Sequence, residues 1–232
     1  MRPKTSLALL FLLLAGSATG APTHSPWPGG VAIVDLGDSV TRPTATFDDR
    51  PVLVLRTEGR WHGVVGIPLD TEPGSATIRV GQRDIVFDVV EHAYPEEHLQ
   101  VAKSYVSLSE ADLARYHRER QVIDAALNNW RDAPVESVRL LSPVDGRRSS
   151  SFGKRRFFNN EPRSPHTGMD IAAPEGTPIE APRGGVVTET GDFYFNGNSV
   201  FVDHGQGFVT MYCHLSEIGV ETLYEAKAHY AR

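Results

Sequence analysis

Cysteine is nearly absent from this chain. Its 232 residues hold one, Cys213. No intrachain disulfide can form, so stability has to come from packing or from a metal. Long hydrophobic runs are also lacking beyond the first residues, and no internal stretch approaches the roughly 20 apolar residues that a membrane-spanning helix needs. Basic residues are in the minority: 23 Lys and Arg against 29 Asp and Glu give a formal charge of −6. That sign is unfavourable for binding a polyphosphate backbone and argues against nucleic acid as a partner. What remains is a chain long enough for two small domains or one large one.

The N-terminus has a composition of its own. Arg2 and Lys4 precede the apolar run Leu7-Ala8-Leu9-Leu10-Phe11-Leu12-Leu13-Leu14, and small residues follow at 15–21. A basic start, a short apolar segment and a small-residue zone predict a signal peptide over residues 1–20, cut before Ala21. With those residues set aside, 21 basic residues face 29 acidic ones. The expectation is an exported protein of the periplasm or cell envelope, with no membrane span once the signal is removed.

Residues 25–100 read as a β-sandwich-like domain. Short apolar runs at 31–34, 51–56, 61–67, 76–80 and 85–90 alternate with turn residues such as Glu58-Gly59, Pro73-Gly74 and Gly81-Gln82. No catalytic grouping stands out there. His62 and His92 are isolated, and Glu91, Glu96 and Glu97 read as a solvated face. Residues 107–131 predict a connector helix. Ser109 is placed to cap it, with Asp112 three residues on. Leu113, Tyr116, Ile123, Leu127 and Trp130 form one apolar stripe, and Pro134 sets a limit on the far side.

A second β-rich region spans 138–232. A strand is expected near Leu140-Leu141, and the basic cluster Arg147, Arg148, Lys154, Arg155 and Arg156 suits either an acidic polymer or plain solvation. Runs at 198–204 and 208–214, joined by Gly205-Gln206-Gly207, predict a hairpin. Alternation along its second strand puts Tyr212 and His214 on one face and Cys213 on the other. Cys213 is given no chemistry. The chemistry-bearing stretch is Pro165-His166-Thr167-Gly168-Met169-Asp170. Pro165 and Gly168 oppose a helix, and in an extended chain residues i and i+4 face one side. His166 and Asp170, an imidazole and a carboxylate, could reach one metal ion. A polar loop leading into a buried strand is the other reading.

Taken together, several motifs resemble the lysostaphin/LytM-type zinc metalloendopeptidases, which cut peptides of bacterial peptidoglycan. The likeness covers residues 141–219. It rests on Pro143…Gly146…Ser151-Phe152-Gly153…Arg156, on His166-x-Gly168-x-Asp170-Ile171-Ala172-Ala173-Pro174-x-Gly176-Thr177-Pro178, and on Gly185-Val186-Val187. Asp203-His204-Gly205-x-Gly207 and Thr210-x-Tyr212-x-His214-Leu215-Ser216 complete it. The first domain and connector helix look like the non-catalytic front half of some exported members. The resemblance implies Zn2+ held by His166 and Asp170, His214 as a catalytic histidine beside the metal, a structural His204, and peptidoglycan peptides as substrate. It also implies a later His-x-His motif that supplies the third zinc ligand and a further catalytic histidine. The sequence reaches Arg232 without that motif, and residues 221–232 read as glycine-free and helix-prone. His229 is poorly placed to replace it. The expectation is therefore a mainly β chain: a β-sandwich-like domain, a connector helix, and an antiparallel β-sheet metallopeptidase domain that is incomplete and lacks a third protein ligand. The alternative is a catalytically inactive factor that binds the cell wall or activates a separate wall hydrolase.

Overall fold

The computed structural model describes residues 23–100, 108–223 and 225–226. The expected signal peptide and His229 lie outside the described residues. The first region contains β1 (Val31–Gly37), β2 (Ala45–Phe47), β3 (Arg50–Pro51), β4 (Leu53–Thr57), β5 (Arg60–Gly66), β6 (Gly74–Val80) and β7 (Arg83–Val89). Two antiparallel sheets form, with strand orders β1-β5-β4 and β3-β2-β6-β7. Along β1 the inward positions Ala32, Val34 and Leu36 are buried and their neighbours are not. That is the period-two pattern of a strand with one face in a core. Ala32, Val65 and Ile78 sit at the centre of that core, between the two sheets. The β-sandwich expectation holds.

A strap then leaves the sandwich. β8 (Glu96–Leu99) pairs in parallel with β10 (Arg155–Phe158), far along the chain. Helix α1 (Glu110–Leu127) follows. Ser109 caps it as expected, its Oγ accepting from the Asp112 backbone N–H at 3.1 Å. The helix stops earlier than the apolar stripe suggested. Asn128 caps its end, donating through Nδ2 to Asp124 O. Asn129 and Arg131 turn away to bind Asp203. The stripe itself divides. Ile123 and Ala126 pack against Phe193 and Phe201, while Leu113 and Leu127 stay exposed.

The second region adds β9 (Arg147–Ser150), β11 (Glu161–Arg163), β12 (Asp170–Ala172), β13 (Gly185–Phe193), β14 (Gly197–Asp203), β15 (Val209–Leu215) and β16 (Glu225–Ala226). Its main sheet runs β15-β14-β13-β16, and among the described residues β12 pairs only with β9. α1 covers one face of the main sheet, at Phe193 and Phe201. The opposite face carries Val187, Val200, Val202 and Tyr212. The chain is mainly β and antiparallel here, as expected.

Two local expectations fail. Leu140 and Leu141 form no strand; Leu141 N–H bonds to Pro182 O at 3.1 Å, and among the described residues the run has no ladder partner. The helix-prone tail pairs instead at 225–226 with Gly185 and Val186 of β13. An open sheet edge offers backbone hydrogen bonds that outweigh a weak helical propensity.

The two regions are tied together at the β14–β15 turn. Gln206, buried, acts as a backbone surrogate for β4: its Oε1 accepts from Val54 N–H at 3.0 Å and its Nε2 donates to Val54 O at 3.3 Å. Leu53, Leu55, Val135 and Phe208 close an apolar patch around this contact.

Candidate metal centre

His166 and Asp170 meet. His166 Nε2 lies 3.1 Å from Asp170 Oδ1. Four residues of straight strand span about 13 Å, so alternation alone cannot bring the two side chains this close. The chain bends at Gly168 just before β12 begins at Asp170, and the bend supplies the approach. The loop is pinned on both sides of its backbone: His166 N–H donates to Lys154 O and His166 O accepts from Gly153 N–H.

The imidazole is oriented by groups that the spacing did not reveal. Nδ1 is 3.0 Å from the carbonyl oxygen of Ser151 and 3.3 Å from Ser150 Oγ. A carbonyl only accepts, so Nδ1 carries a proton, and Nε2 is the nitrogen that meets Asp170, through a second proton in the charged ring or through a lone pair open to a metal in the neutral one. A bare lone pair facing a carboxylate is repulsive; a proton or a metal cation between them makes the contact attractive. A ligating histidine that donates its other N–H to a backbone carbonyl is the arrangement common to metal sites. Two donors about 2.05 Å from a tetrahedral zinc stand roughly 3.3 Å apart, close to the separation here. The pair fits two corners of such a site. Among the described residues, no third His, Cys, Asp or Glu joins them to make a group of three.

His214 lines the same broad cleft as His166, Asp170 and Tyr212, but it reaches there by another route than alternation. Asn198 pairs with Leu215 and Val200 with Tyr212, so Cys213 and His214 together oppose Ser199. This is a bulge, with His214 in the left-handed region at φ 57°. A bulge re-aims side chains next to a site, and here it breaks the expected period-two relation between Tyr212 and His214. The anchor is Asn196, whose carbonyl oxygen accepts from His214 N–H at 2.8 Å and whose Nδ2 donates to Cys213 Sγ at 3.5 Å. The His214 side chain makes no hydrogen bond among the described residues.

The hairpin tip that carries Asn196 is held by α1. Glu119 Oε2 accepts from Tyr194 N–H at 2.6 Å, and Arg115 binds both Glu119 and Asp192. Burial alone would raise the Glu119 carboxyl, but Tyr194 N–H and Arg115 outweigh it and hold it below the usual value. No sequence spacing pointed to Glu119 or Asn196.

The basic cluster is partly consumed. Glu97 pairs with Lys154 and Arg156, and Glu96 with Arg155. These two acids are therefore partners of the strap's neighbour and not merely a solvated face. Arg147 and Arg148 remain exposed.

The sequence and fold are similar to those of known proteins. Residues 24–92 match the peptidase family M23 N-terminal domain, and residues 164–228 match peptidase family M23. A crystal structure of a Pseudomonas aeruginosa protein described as a peptidase M23 superposes with a TM-score of 0.72 at 42% identity, covering 87% of this chain and 79% of that one. This chain belongs to peptidase family M23. The peptidoglycan DD-endopeptidase ShyC of Vibrio cholerae is 37% identical over 106 residues, which are 44% of this chain and 24% of ShyC. ShyA of the same organism, also a peptidoglycan DD-endopeptidase, is 43% identical over 82 residues, 34% of this chain and 19% of ShyA. The aligned stretches thus span about a quarter or less of these curated M23 relatives. No helix among the described residues is long and apolar enough to cross a membrane.

Proposed function

We propose that this M23 chain is a zinc endopeptidase of the cell envelope that hydrolyses peptide bonds in peptidoglycan. His166 and Asp170 would hold the metal, and His214 would act beside it. The carrying observation is the 3.1 Å donor pair, with His166 Nδ1 held at Ser151 O so that Nε2 is the nitrogen turned toward Asp170. When bound, zinc supplies Lewis-acid polarisation of a carbonyl and lowers the pKa of water to roughly 7. The chain's own residues orient the donors, line a cleft for a peptide, and set an unbonded imidazole at its wall for proton transfer or oxyanion support. The names of the ShyC and ShyA relatives support the peptidoglycan substrate.

One observation favours a second reading. With two donors and no third among the described residues, this chain would act instead as a wall-binding factor, or as an activator of a separate hydrolase. Catalytic zinc ordinarily has three protein ligands.

Two measurements decide. Zinc content is read by mass spectrometry for the wild type, His166→Ala and Asp170→Ala. Release of soluble fragments from dye-labelled peptidoglycan is read alongside. The endopeptidase reading expects bound zinc that both substitutions abolish, and fragments with new amino termini. Co-sedimentation with peptidoglycan without fragments, at well under one zinc per chain, overturns it in favour of the second reading.

A further inference from the structure

The buried His204 takes no part in the function just described, yet both of its ring nitrogens are engaged. Nδ1 is 2.9 Å from Gly184 O, and Nε2 is 2.8 Å from Thr210 Oγ1. Thr210 Oγ1 is in turn 2.8 Å from the Tyr212 hydroxyl. The ring fits against the neighbouring strand because residue 185 is glycine. A Cβ there would stand 2.7 Å from His204 Nδ1 and 2.6 Å from Asp203 O.

The direction of every proton in this row follows from one fixed end. Gly184 O can only accept, so Nδ1 bears the hydrogen. A neutral ring then has only a lone pair at Nε2, so Thr210 must donate its hydroxyl proton to it. Thr210 has no second proton, so its oxygen accepts from Tyr212. The Tyr212 proton is thereby committed to Thr210, and what the phenol oxygen has left is a lone pair. Burial pushes the His204 imidazole down, against the pull of its bond to Gly184; Arg183, Asp203 and Arg131 are the charged groups around it. The neutral ring that the row requires is the favoured one. Tyr212, also held well inside, has its hydroxyl pushed up to about 12 by burial, so it stays a phenol and does not become a phenolate.

We propose that Tyr212 is a hydrogen-bond acceptor of the cleft, fixed in that sense by His204 through Thr210, and that it receives an N–H of a bound peptide. Tyr212 lines the cleft with His166, Asp170 and His214. His204 and Thr210 are positioning residues: they act on a ligand only through the phenol. The ligand half of this proposal rests on the reading that the cleft takes a peptide; the proton order does not.

The test has two arms. Long-range proton–nitrogen correlation on histidine-labelled protein at neutral pH reads the tautomer of His204. The expected result is a protonated Nδ1 and a pyridine-like Nε2, with a slowly exchanging Tyr212 hydroxyl proton that shows a cross-peak to Thr210. In Thr210→Val that hydroxyl proton loses its protection. A protonated Nε2 overturns the proposal, and so does an unprotected hydroxyl in the wild type; these readings stand even if Thr210→Val fails to fold. The second arm uses a synthetic wall tetrapeptide and analogues in which single amides are replaced by esters, removing one N–H each. One ester should bind the wild type about five- to tenfold more weakly, the scale of one lost hydrogen bond, and Tyr212→Phe should not distinguish it from the amide. If every ester binds the wild type as the amide does, the acceptor role is refuted. If the tetrapeptide does not bind at all, the peptidase reading falls with the ligand half, while the correlation spectra still decide the proton order.

Discussion

The sandwich of β1 to β7 and the layer that carries His166, Asp170 and His214 are built to different standards. In the sandwich, two sheets close on a continuous apolar core whose central members, Ala32, Val65 and Ile78, are essentially sealed from water. In the second region the apolar contacts split into small groups on either face of β13–β15. The candidate ligands stand outside even those groups. His166 lies on a loop, Asp170 is half exposed, and β12 is three residues long and paired with β9. Stability is unevenly distributed in proteins, and sites are commonly drawn from its low end. Here the less deeply packed layer is supported indirectly. Gln206 fastens the hairpin to β4, α1 fastens the other hairpin tip through Glu119, and the strap β8 lies along β10.

The largest expected effect attacks the better-packed side. Ile78→Ala removes a fully buried side chain between two sheets and should cost about 2–5 kcal/mol. Urea unfolding followed at Trp61 should show the midpoint fall steeply. If His166 and Asp170 keep their mutual contact by NMR while the sandwich melts, the second region is autonomous; loss of both together shows that it borrows its stability from the first.

Much of that contrast was legible in the sequence, for a physical reason. Alternation is written residue by residue, so Val31 to Val34 announced a strand and the Glu58-Gly59 turn announced the reversal between β4 and β5. Ser109 and Asp112 announced a helix start because a cap is a local hydrogen bond. His166 and Asp170 were recognisable through their spacing and their neighbours. What stayed hidden is what distant residues do to one another. Nothing local in Gln206 says that it will pair with Val54, and nothing in Glu96 says that it will lie beside Arg155. The bulge at His214 escaped for a related reason: a positive φ in a non-glycine residue is imposed by the Asn196 contact, not encoded by the residue itself. The helical reading failed at 225–226 because an open strand edge overrode propensity.

A more moderate effect tests the fastening between the two regions. Gln206→Ala strands the backbone N–H and C=O of Val54 in a buried setting, which should cost about 1–3 kcal/mol. The loss should appear as earlier unfolding of the second region, followed at Trp130, which packs under Gly207 in the same turn. Gln206→Glu, when ionised, keeps the acceptor for Val54 N–H but buries a carboxylate against Val54 O, and should be at least as destabilising as Gln206→Ala. Equal stability of the wild type and Gln206→Ala would show that the apolar patch around Leu53 and Phe208 suffices without the polar suture.

The smallest effect is a pH dependence peculiar to the β14–β15 hairpin. Burial lowers the pKa of His204 in the folded protein, while in the unfolded chain a histidine titrates near 6.5. Below that value the unfolded state takes up a proton that the native state refuses. The unfolded state then binds more protons, and stability drops as pH falls. The contribution of a neutral His204 is therefore complete above about 6.5 and is lost between that point and the lower, folded pKa. Glu119, also held down, acts in a separate window: its contribution is present above its unfolded value near 4.5 and lost as pH falls through its folded one. Chemical denaturation at a series of pH values should thus show a first decline beginning near neutrality and a second in the acid range. His204→Gln should be less stable at neutral pH and should lack the first decline. If the decline persists unchanged in that variant, another group carries it, and the hairpin is less dependent on a neutral imidazole than its hydrogen bonds to Gly184 and Thr210 imply.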